Sequence, residues 1–410
     1  MTTAPSPRPR LVAVRVHRRT AGPALRAIWA DGDAVLLLDP DAPAAHRAAQ
    51  LTALRPDALL DLVAGDNDPR PLTDPLPTAP GTAVVVATSG STGTPKGVEL
   101  THDALRASTQ ASLARLGAAP GDRWALALPT HHVAGLQVWL RAWAGGQDPV
   151  VVDDVAVLTD GASEFVSLVP TQLARWLDAI SSADEAGPEP TGRRPATRPT
   201  VLLGGAAATP TLLARAAAGG IHVVTSYGMS ETGGGCVYDG VPLDGVEVRL
   251  GDDGRIALRG AVVAAGYRGQ GVPLTDADGW FWTNDLGRFD AHGRLEVLGR
   301  ADDVVISGGE NVPLALVRTA LATHPAVADV AVVGRPDPDW GQIVVALVVA
   351  APGREPTPED LRAHVRVGHP AAYAPRRVRI VDALPRDAMG KLPRARLEAL
   401  ADGETGHHTD

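Results

Sequence analysis

The stretch VVVATSGSTGTPKGVELT, residues 84–101, decides how the chain is read. A β-branched run, Val84 to Val86, leads into residues with hardly any bulk. Hydroxyls at Thr88, Ser89, Ser91, Thr92 and Thr94 alternate with Gly90, Gly93 and Gly97, and Lys96 supplies one cation. The pattern predicts a strand feeding a mobile, hydroxyl-rich loop whose amides, hydroxyls and ammonium can face a single anion. Polyphosphate is the natural candidate. The P-loop of nucleoside triphosphatases needs a Gly before its Lys and a hydroxyl after it. Here Pro95 precedes Lys96 and Gly97 follows it, so the loop is of another kind.

With 410 residues, 45% of them hydrophobic and 21% charged, the chain can bury a large core and is expected to hold more than one domain. A net charge of −9 argues against a nucleic-acid binder working through a basic field. The single cysteine, Cys236, excludes an internal disulfide and a cysteine-built zinc site, and fits a reducing, cytoplasmic compartment. The N-terminus shows no apolar signal-peptide core. The longest apolar runs, such as IVVALVVAA from Ile343, are too short to span a bilayer, so no membrane insertion is expected.

Outward from the loop, residues 1–80 alternate short apolar segments with Pro- and Asp-rich turns, and PDAPAAHRAAQLTALRPD reads as an amphipathic helix. Thr101 to Leu116 reads as a helix with Thr101 as its N-cap. A strand at RWALALP is followed by PTHHVAGLQVWLRAWAGG, where His131 and His132 end the strand and a helix begins. Adjacent histidines chelate one ion poorly, and no third ligand stands at the right spacing. Arg141 lies in an otherwise apolar helix. It is either a snorkelling surface residue or a cation facing a cavity, where a substrate carboxylate would meet it.

VVVDD, FVSLVP and VLLGGAAA are buried-strand candidates of a parallel sheet, with a helix at PTQLARWLDAI. Residues 181–199 have the composition of a flexible surface loop. Gly204 and Gly205 end a strand where backbone can approach a flat ligand. In VVTSYGMSETGGG a strand is expected to meet a sharp Tyr227–Gly228 turn before Ser230, Glu231 and Thr232. Residues 240–296 suggest a small β-rich subdomain, and from Asp303 onward helices and strands alternate as in a compact α+β domain.

The string S-G-S-T-G-x-P-K-G-V resembles the phosphate loop of the adenylate-forming enzymes, the superfamily of acyl- and aryl-CoA ligases, luciferases and peptide-synthetase adenylation domains. Further signatures of that superfamily follow in its order: Y-G-x-[ST]-E-T at Tyr227, W-x-x-T-x-D ending at Asp285, G-R-x-D at Arg300 and Asp302, and P-R-x-x-x-G-K ending at Lys391. The resemblance thus runs from residue 84 to residue 391.

It implies an α/β fold. A large N-terminal domain (1–301) would have mostly parallel sheets covered by helices, plus a β-rich subdomain. A small, mobile α+β C-terminal domain (302–400) and a disordered tail (401–410) would follow. It implies ATP, Mg²⁺ and CoA, with ATP held by residues 88–94 (Thr88, Ser89, Gly90, Ser91, Thr92, Gly93, Thr94), Lys96, Gly204, Gly205, Tyr227, Gly228, Thr232, Asp285 and Arg300. Glu231 would be the Mg²⁺ ligand, Asp285 would grip the ribose hydroxyls, and Lys391 would bridge the substrate carboxylate and the α-phosphate. His132 would gate the acid pocket, shared by Arg141, Ser226 and Gly228. Asp302 would be the hinge, and Ser307, Gly308 and Gly309 would line a pantetheine channel.

Within the superfamily, LPTHHVAGLQVWLRAWAGG and SLVPTQLARWL look most like ligases for an aromatic acid bearing two carboxylates, which would give Arg141 its partner. A ligase for another aryl or acyl acid and a stand-alone enzyme loading a carrier protein are the alternatives. A non-catalytic adenylate binder is disfavoured because Lys96, Glu231, Asp285, Arg300 and Lys391 are all present. The partners implied are small molecules, with a homodimer left open.

Overall fold

The computed structural model describes residues 8–89, 95–185, 198–386 and 392–403. Its organising element is a seven-stranded sheet. The strands run in the spatial order Gly266–Tyr267, Pro95–Thr101, Thr82–Ser89, Ala34–Leu38, Leu11–Arg15, Ala58–Asp61, Arg70–Pro71. Its four central strands are parallel. Ala34–Leu38 is buried along its whole length, as a parallel strand covered on both faces must be. The pleat sorts its side chains: Val35 and Leu37 join Leu25 and Ile28 of the helix Ala21–Ala30, while Ala34, Leu36 and Leu38 join Leu54 of the helix Ala44–Leu54.

A second seven-stranded sheet follows, ordered Val241–Pro242, Gly234–Tyr238, Val223–Met229, Thr200–Leu203, Phe165–Leu168, Trp124–Leu126, Val150–Val151. Two helices lie between the sheets, His102–Leu116 and Val133–Ala144. Leu105 and Leu136 pack on the first sheet, and Leu113, Val138, Trp139 and Ala142 pack with Trp124 and Leu126 of the second. Thr101 caps the first helix as expected, its hydroxyl accepting the Ala104 N–H at 3.0 Å.

A four-stranded antiparallel sheet (Val246–Leu250, Arg255–Gly260, Phe281–Phe289, Leu295–Arg300) forms the β-rich part. A turn at Ala301–Asp303 then leads into a five-stranded C-terminal unit. Its strands are Glu310–Pro313, Val304–Ser307, Gly341–Ala350, Val327–Asp337 and Arg377–Ile380, packed on the helices Leu314–Ala322 and Pro358–Gly368.

Three sequence expectations need adjusting. The helix Pro170–Glu185 runs five residues into the expected 181–199 loop, of which residues 186–197 lie outside the described part. The helix Arg394–Asp402 carries two residues of the expected tail, because Leu397 and Ala401 are buried against the last sheet; residues 404–410 lie outside the described part. At Tyr227–Gly228 the strand continues through a bulge instead of turning.

Candidate active site

The two flanks of the phosphate-loop stretch are paired strands. Thr82–Ser89 and Pro95–Thr101 pair antiparallel, with Thr88 opposite Lys96 and Ser89 opposite Pro95. Gly90, Ser91, Thr92, Gly93 and Thr94 lie outside the described residues. Lys96 and Gly97, expected in the loop, stand in the returning strand. The Thr88 hydroxyl donates across the hairpin to the Lys96 carbonyl at 3.3 Å. Gly97 is needed for packing, since a Cβ there would lie 2.8 Å from both Leu54 Cδ2 and Val85 Cγ1.

Glu231 is carried by a single 3₁₀ turn, Ser230–Thr232, joining the antiparallel strands Val223–Met229 and Gly234–Tyr238. The strands approach so closely that a Cβ on Gly228 would meet the Gly234 carbonyl at 2.1 Å. Thr232 serves this turn. Its buried hydroxyl accepts the Met229 N–H at 3.0 Å and donates to the Gly234 carbonyl at 2.7 Å. The hydroxyl of Thr232, expected at the phosphates, is engaged within this turn. Glu231 Oε1 accepts a hydrogen bond from the Tyr267 hydroxyl at 2.8 Å, and the Lys96 ammonium sits 5.7 Å from the centre of the Tyr267 ring.

Beside this cluster opens a cavity of about 640 Å³ between the large body and the C-terminal unit. Its walls include Gly205, Ser226, Tyr227, Gly228, Asp285 and Arg300, so most of the residues expected around the nucleotide do converge. Gly204 stands behind them, its N–H bonded to the Leu168 carbonyl. Tyr227 donates its hydroxyl to Asp285 Oδ2 at 2.8 Å. Asp285 lies opposite Arg300 in the strand register, with Arg300 Nη1 3.8 Å from Asp285 Oδ1. Arg300 Nε donates to Asp302 at 2.9 Å.

Burial pushes the Asp285 carboxyl above its ordinary pKa, against the pull of the Tyr227 hydroxyl and Arg300. The hydrogen bond from Arg300 holds Asp302 below the usual carboxylate range, and the same bond raises Arg300. From the C-terminal unit, Leu392 and Arg394 also line the cavity. Arg394 reaches back to the Asp302 carbonyl and Asp303 Oδ1, each at 3.3 Å. Lys391 lies outside the described residues.

His132 starts the helix Val133–Ala144, its ring centre 4.4 Å from that of His131. His131 Nε2 is 3.9 Å from Asp39 Oδ2, and burial lowers the pKa of this imidazole. His131 also borders a second cavity of about 670 Å³, together with His17, Arg18 and Arg19. Arg141, about two and a half helical turns beyond, is no snorkelling residue. It is 3% exposed, with its guanidinium 4.9 Å from the centre of the Trp124 ring and Nη1 bonded to Ser167 Oγ at 3.2 Å. Nε has no partner among the described residues, and burial lowers its pKa. Neither His132 nor Arg141 lines either of the two cavities.

Ser307, Gly308 and Gly309 form a hairpin tip in the C-terminal unit. Ser307 pairs with Glu310 across it, and both glycines have positive φ. Among the described residues no group of three or more His, Cys, Asp or Glu could hold a metal ion by itself. Glu231 could supply one carboxylate to an ion whose remaining ligands are phosphate and water, the usual manner of Mg²⁺. Cys236 is buried, with its thiol pushed up to about 12, which makes it a poor nucleophile. No helix of the described residues is long and apolar enough to cross a membrane.

Sequence reasoning missed Tyr267 and the buried polar partners of Arg141, Ser167 and Tyr238. Their partners lie on remote strands, and the only local signal was a Gly-Tyr pair in a β-rich region.

The AMP-binding enzyme family matches residues 8–268, and the AMP-binding enzyme C-terminal domain matches residues 317–391. A probable 2-succinylbenzoate–CoA ligase of Mycobacterium tuberculosis is 46% identical over 338 residues, covering 78% of this chain and 85% of the relative. The structure of o-succinylbenzoate CoA synthetase from Bacillus subtilis in complex with its acyl-adenylate intermediate superposes with a TM-score of 0.79 at 28% identity, over 96% of this chain and 89% of that one. The same enzyme in complex with ATP and magnesium ion gives a TM-score of 0.79 at 27% identity, over 96% and 90%.

Proposed function

The chain belongs to the AMP-binding enzyme family, and on that premise we propose that it joins 2-succinylbenzoate to CoA in two half-reactions at one site. It is an AMP-forming acid–thiol ligase of menaquinone biosynthesis, using Mg·ATP and CoA as co-substrates. In the first half-reaction a substrate carboxylate oxygen attacks the α-phosphorus of ATP. The bond to the bridging oxygen breaks, and pyrophosphate leaves with its Mg²⁺. In the second, the CoA thiolate attacks the acyl carbon of the mixed anhydride, and AMP departs with the electron pair.

Catalysis is positioning plus electrostatic stabilisation, with no protein nucleophile. Asp285, steadied by Tyr227, accepts both ribose hydroxyls, and Arg300 approaches the ribose and α-phosphate from the opposite strand. Gly205 and the Tyr227–Gly228 backbone flank the adenine. Lys96 and residues 88–94 take the departing phosphates, and Glu231 would hold the Mg²⁺ that neutralises them. Lys391 neutralises charge building between carboxylate and α-phosphate, a role resting on its motif alone. After adenylation the C-terminal unit turns about Asp302 and brings the Ser307–Gly309 tip to the thiol side, where His132 yields. The buried thiol Cys236 fits a reducing, cytoplasmic setting.

The choice of acid is supported by the likeness to 2-succinylbenzoate–CoA ligases, and Arg141, though buried away from both cavities, is the residue through which it is tested. A guanidinium this deeply buried without a carboxylate is costly to maintain, and a second carboxylate on the substrate would relieve that cost. Acid-dependent exchange of labelled pyrophosphate into ATP tests it. Exchange should be fastest with 2-succinylbenzoate and weak with monocarboxylic aryl acids. Equal exchange with benzoate would refute the assignment.

A further inference from the structure

Residues 264–268, inside the segment read from sequence as a small β-rich subdomain, join parts of the site that are far apart in the chain. The Ala264 N–H donates to the Glu231 carbonyl at 2.8 Å, the Ala265 N–H to the Glu99 carbonyl at 2.9 Å, and the Arg268 N–H to the Gly97 carbonyl at 2.8 Å. Arg268 anchors this strap. Its buried guanidinium pairs with Glu99 at 3.1 Å and donates to the carbonyls of Leu54, Arg55 and Leu76. Tyr267 is thereby aimed between two charges. Its hydroxyl meets Glu231 Oε1 at 2.8 Å, and its ring lies under Lys96 at 5.7 Å.

We propose that Tyr267 is a positioning residue that holds Lys96 and Glu231 apart, so that each meets Mg·ATP instead of neutralising the other. The proposal rests on the reading that Lys96 and Glu231 serve the phosphates and Mg²⁺. Without a third group, an ammonium on the strand Pro95–Thr101 and a carboxylate on the turn Ser230–Thr232 that flank the same ring would be drawn into an ion pair, which phosphate and metal would then have to break. A phenol solves both halves. Its O–H gives the carboxylate a charge-assisted hydrogen bond on one oxygen, while its ring face attracts the ammonium without discharging it. A phenol keeps its proton at neutral pH and so serves as a donor to the carboxylate. No ion pair joins Lys96 to Glu231.

The test compares Tyr267→Phe, which keeps the ring and loses the hydroxyl, with Tyr267→Leu, which loses both. ATP binding is followed by calorimetry over a series of Mg²⁺ concentrations, alongside thermal melting of the unliganded protein. Tyr267→Phe should weaken ATP binding about tenfold at limiting Mg²⁺ and approach wild type at saturating Mg²⁺, with an unchanged melting midpoint. Tyr267→Leu should stay weak at all Mg²⁺ concentrations. In a Glu231→Gln background, Tyr267→Phe should add no further loss. A Tyr267→Phe protein with the wild-type Mg²⁺ dependence, or one whose affinity loss is uniform in Mg²⁺ and tracks a lowered melting midpoint, overturns the role. No acid enters these titrations. A wild-type protein that bound no ATP would instead overturn the functional reading beneath it.

Discussion

The guanidinium of Arg141 lies 4.9 Å from the centre of the Trp124 ring, inside a helix packed between two sheets, and meets no carboxylate among the described residues. Function and stability therefore pull in opposite directions at this position. Arg141→Ala should raise the KM for 2-succinylbenzoate by about 1.5–3 kcal/mol of lost charge-assisted bonding, roughly 10- to 150-fold, and leave the KM for ATP alone. Arg141→Met should show the same kinetic defect with a melting temperature equal to or above wild type, because a buried unpaired charge is replaced by apolar volume. Steady-state kinetics with thermal melting check both. Unchanged kinetics would remove Arg141 from the site.

Tyr227 and Asp285 make nucleotide binding sensitive to acid. Burial raises the Asp285 pKa and the Tyr227 hydroxyl opposes that rise. The raised carboxyl holds its proton more tightly folded than unfolded. Its contribution to stability is thus present at low pH and lost as pH climbs through the folded pKa. Ribose binding needs the ionised form, so AMP affinity should rise with pH through that same pKa and then level. Tyr227→Phe should move this limb to higher pH. A titration of AMP affinity against pH, wild type beside variant, checks the direction.

Arg268 and Glu99 form the buried ion pair behind the phosphate-loop hairpin, with side chains 0% and 7% exposed. Arg268→Met leaves a buried carboxylate unpaired and should cost about 3–5 kcal/mol. Adding Glu99→Leu should recover part of that loss. Denaturant unfolding of the two single variants and the double variant measures it, and an additive result would mean the pair is not coupled.

Lys391→Ala should separate the half-reactions. Adenylation should fall by orders of magnitude, while pre-formed succinylbenzoyl-AMP is still converted to the thioester when CoA is supplied. Loss of both half-reactions to the same extent would argue against a residue dedicated to adenylation.

Local chemistry explains what could be read in advance. Thr101 announces its helix by a hydroxyl at the right offset, and the helix–strand–strand–helix–strand order from Leu314 to Ile380 follows from period-2 and period-3.6 patterns, while the opening strands Val304–Ser307 and Glu310–Pro313 do not. Long-range register is invisible in that reading. Tyr267 meets a carboxylate 36 residues away, and Arg268 meets one 169 residues away. Nothing near Gly266–Tyr267 says that this short strand closes the edge of the first sheet. Thr232 shows another limit: its motif drew attention to the right turn, yet only the turn's geometry aims the hydroxyl inward. Arg141 stood out as a cation in an apolar helix, but Trp124 and Ser167, brought up by two other strands, are what bury it.

Coupling of 2-succinylbenzoate to CoA through an adenylate can be followed by its three products. The most direct measurement supplies Mg·ATP, CoA and 2-succinylbenzoate, then quantifies AMP, pyrophosphate and acyl-CoA together by mass spectrometry and chromatography. Equimolar formation of all three is expected, with acid-dependent pyrophosphate release and no thioester when CoA is withheld. ADP in place of AMP, or no 2-succinylbenzoyl-CoA while another acid is turned over, would contradict it.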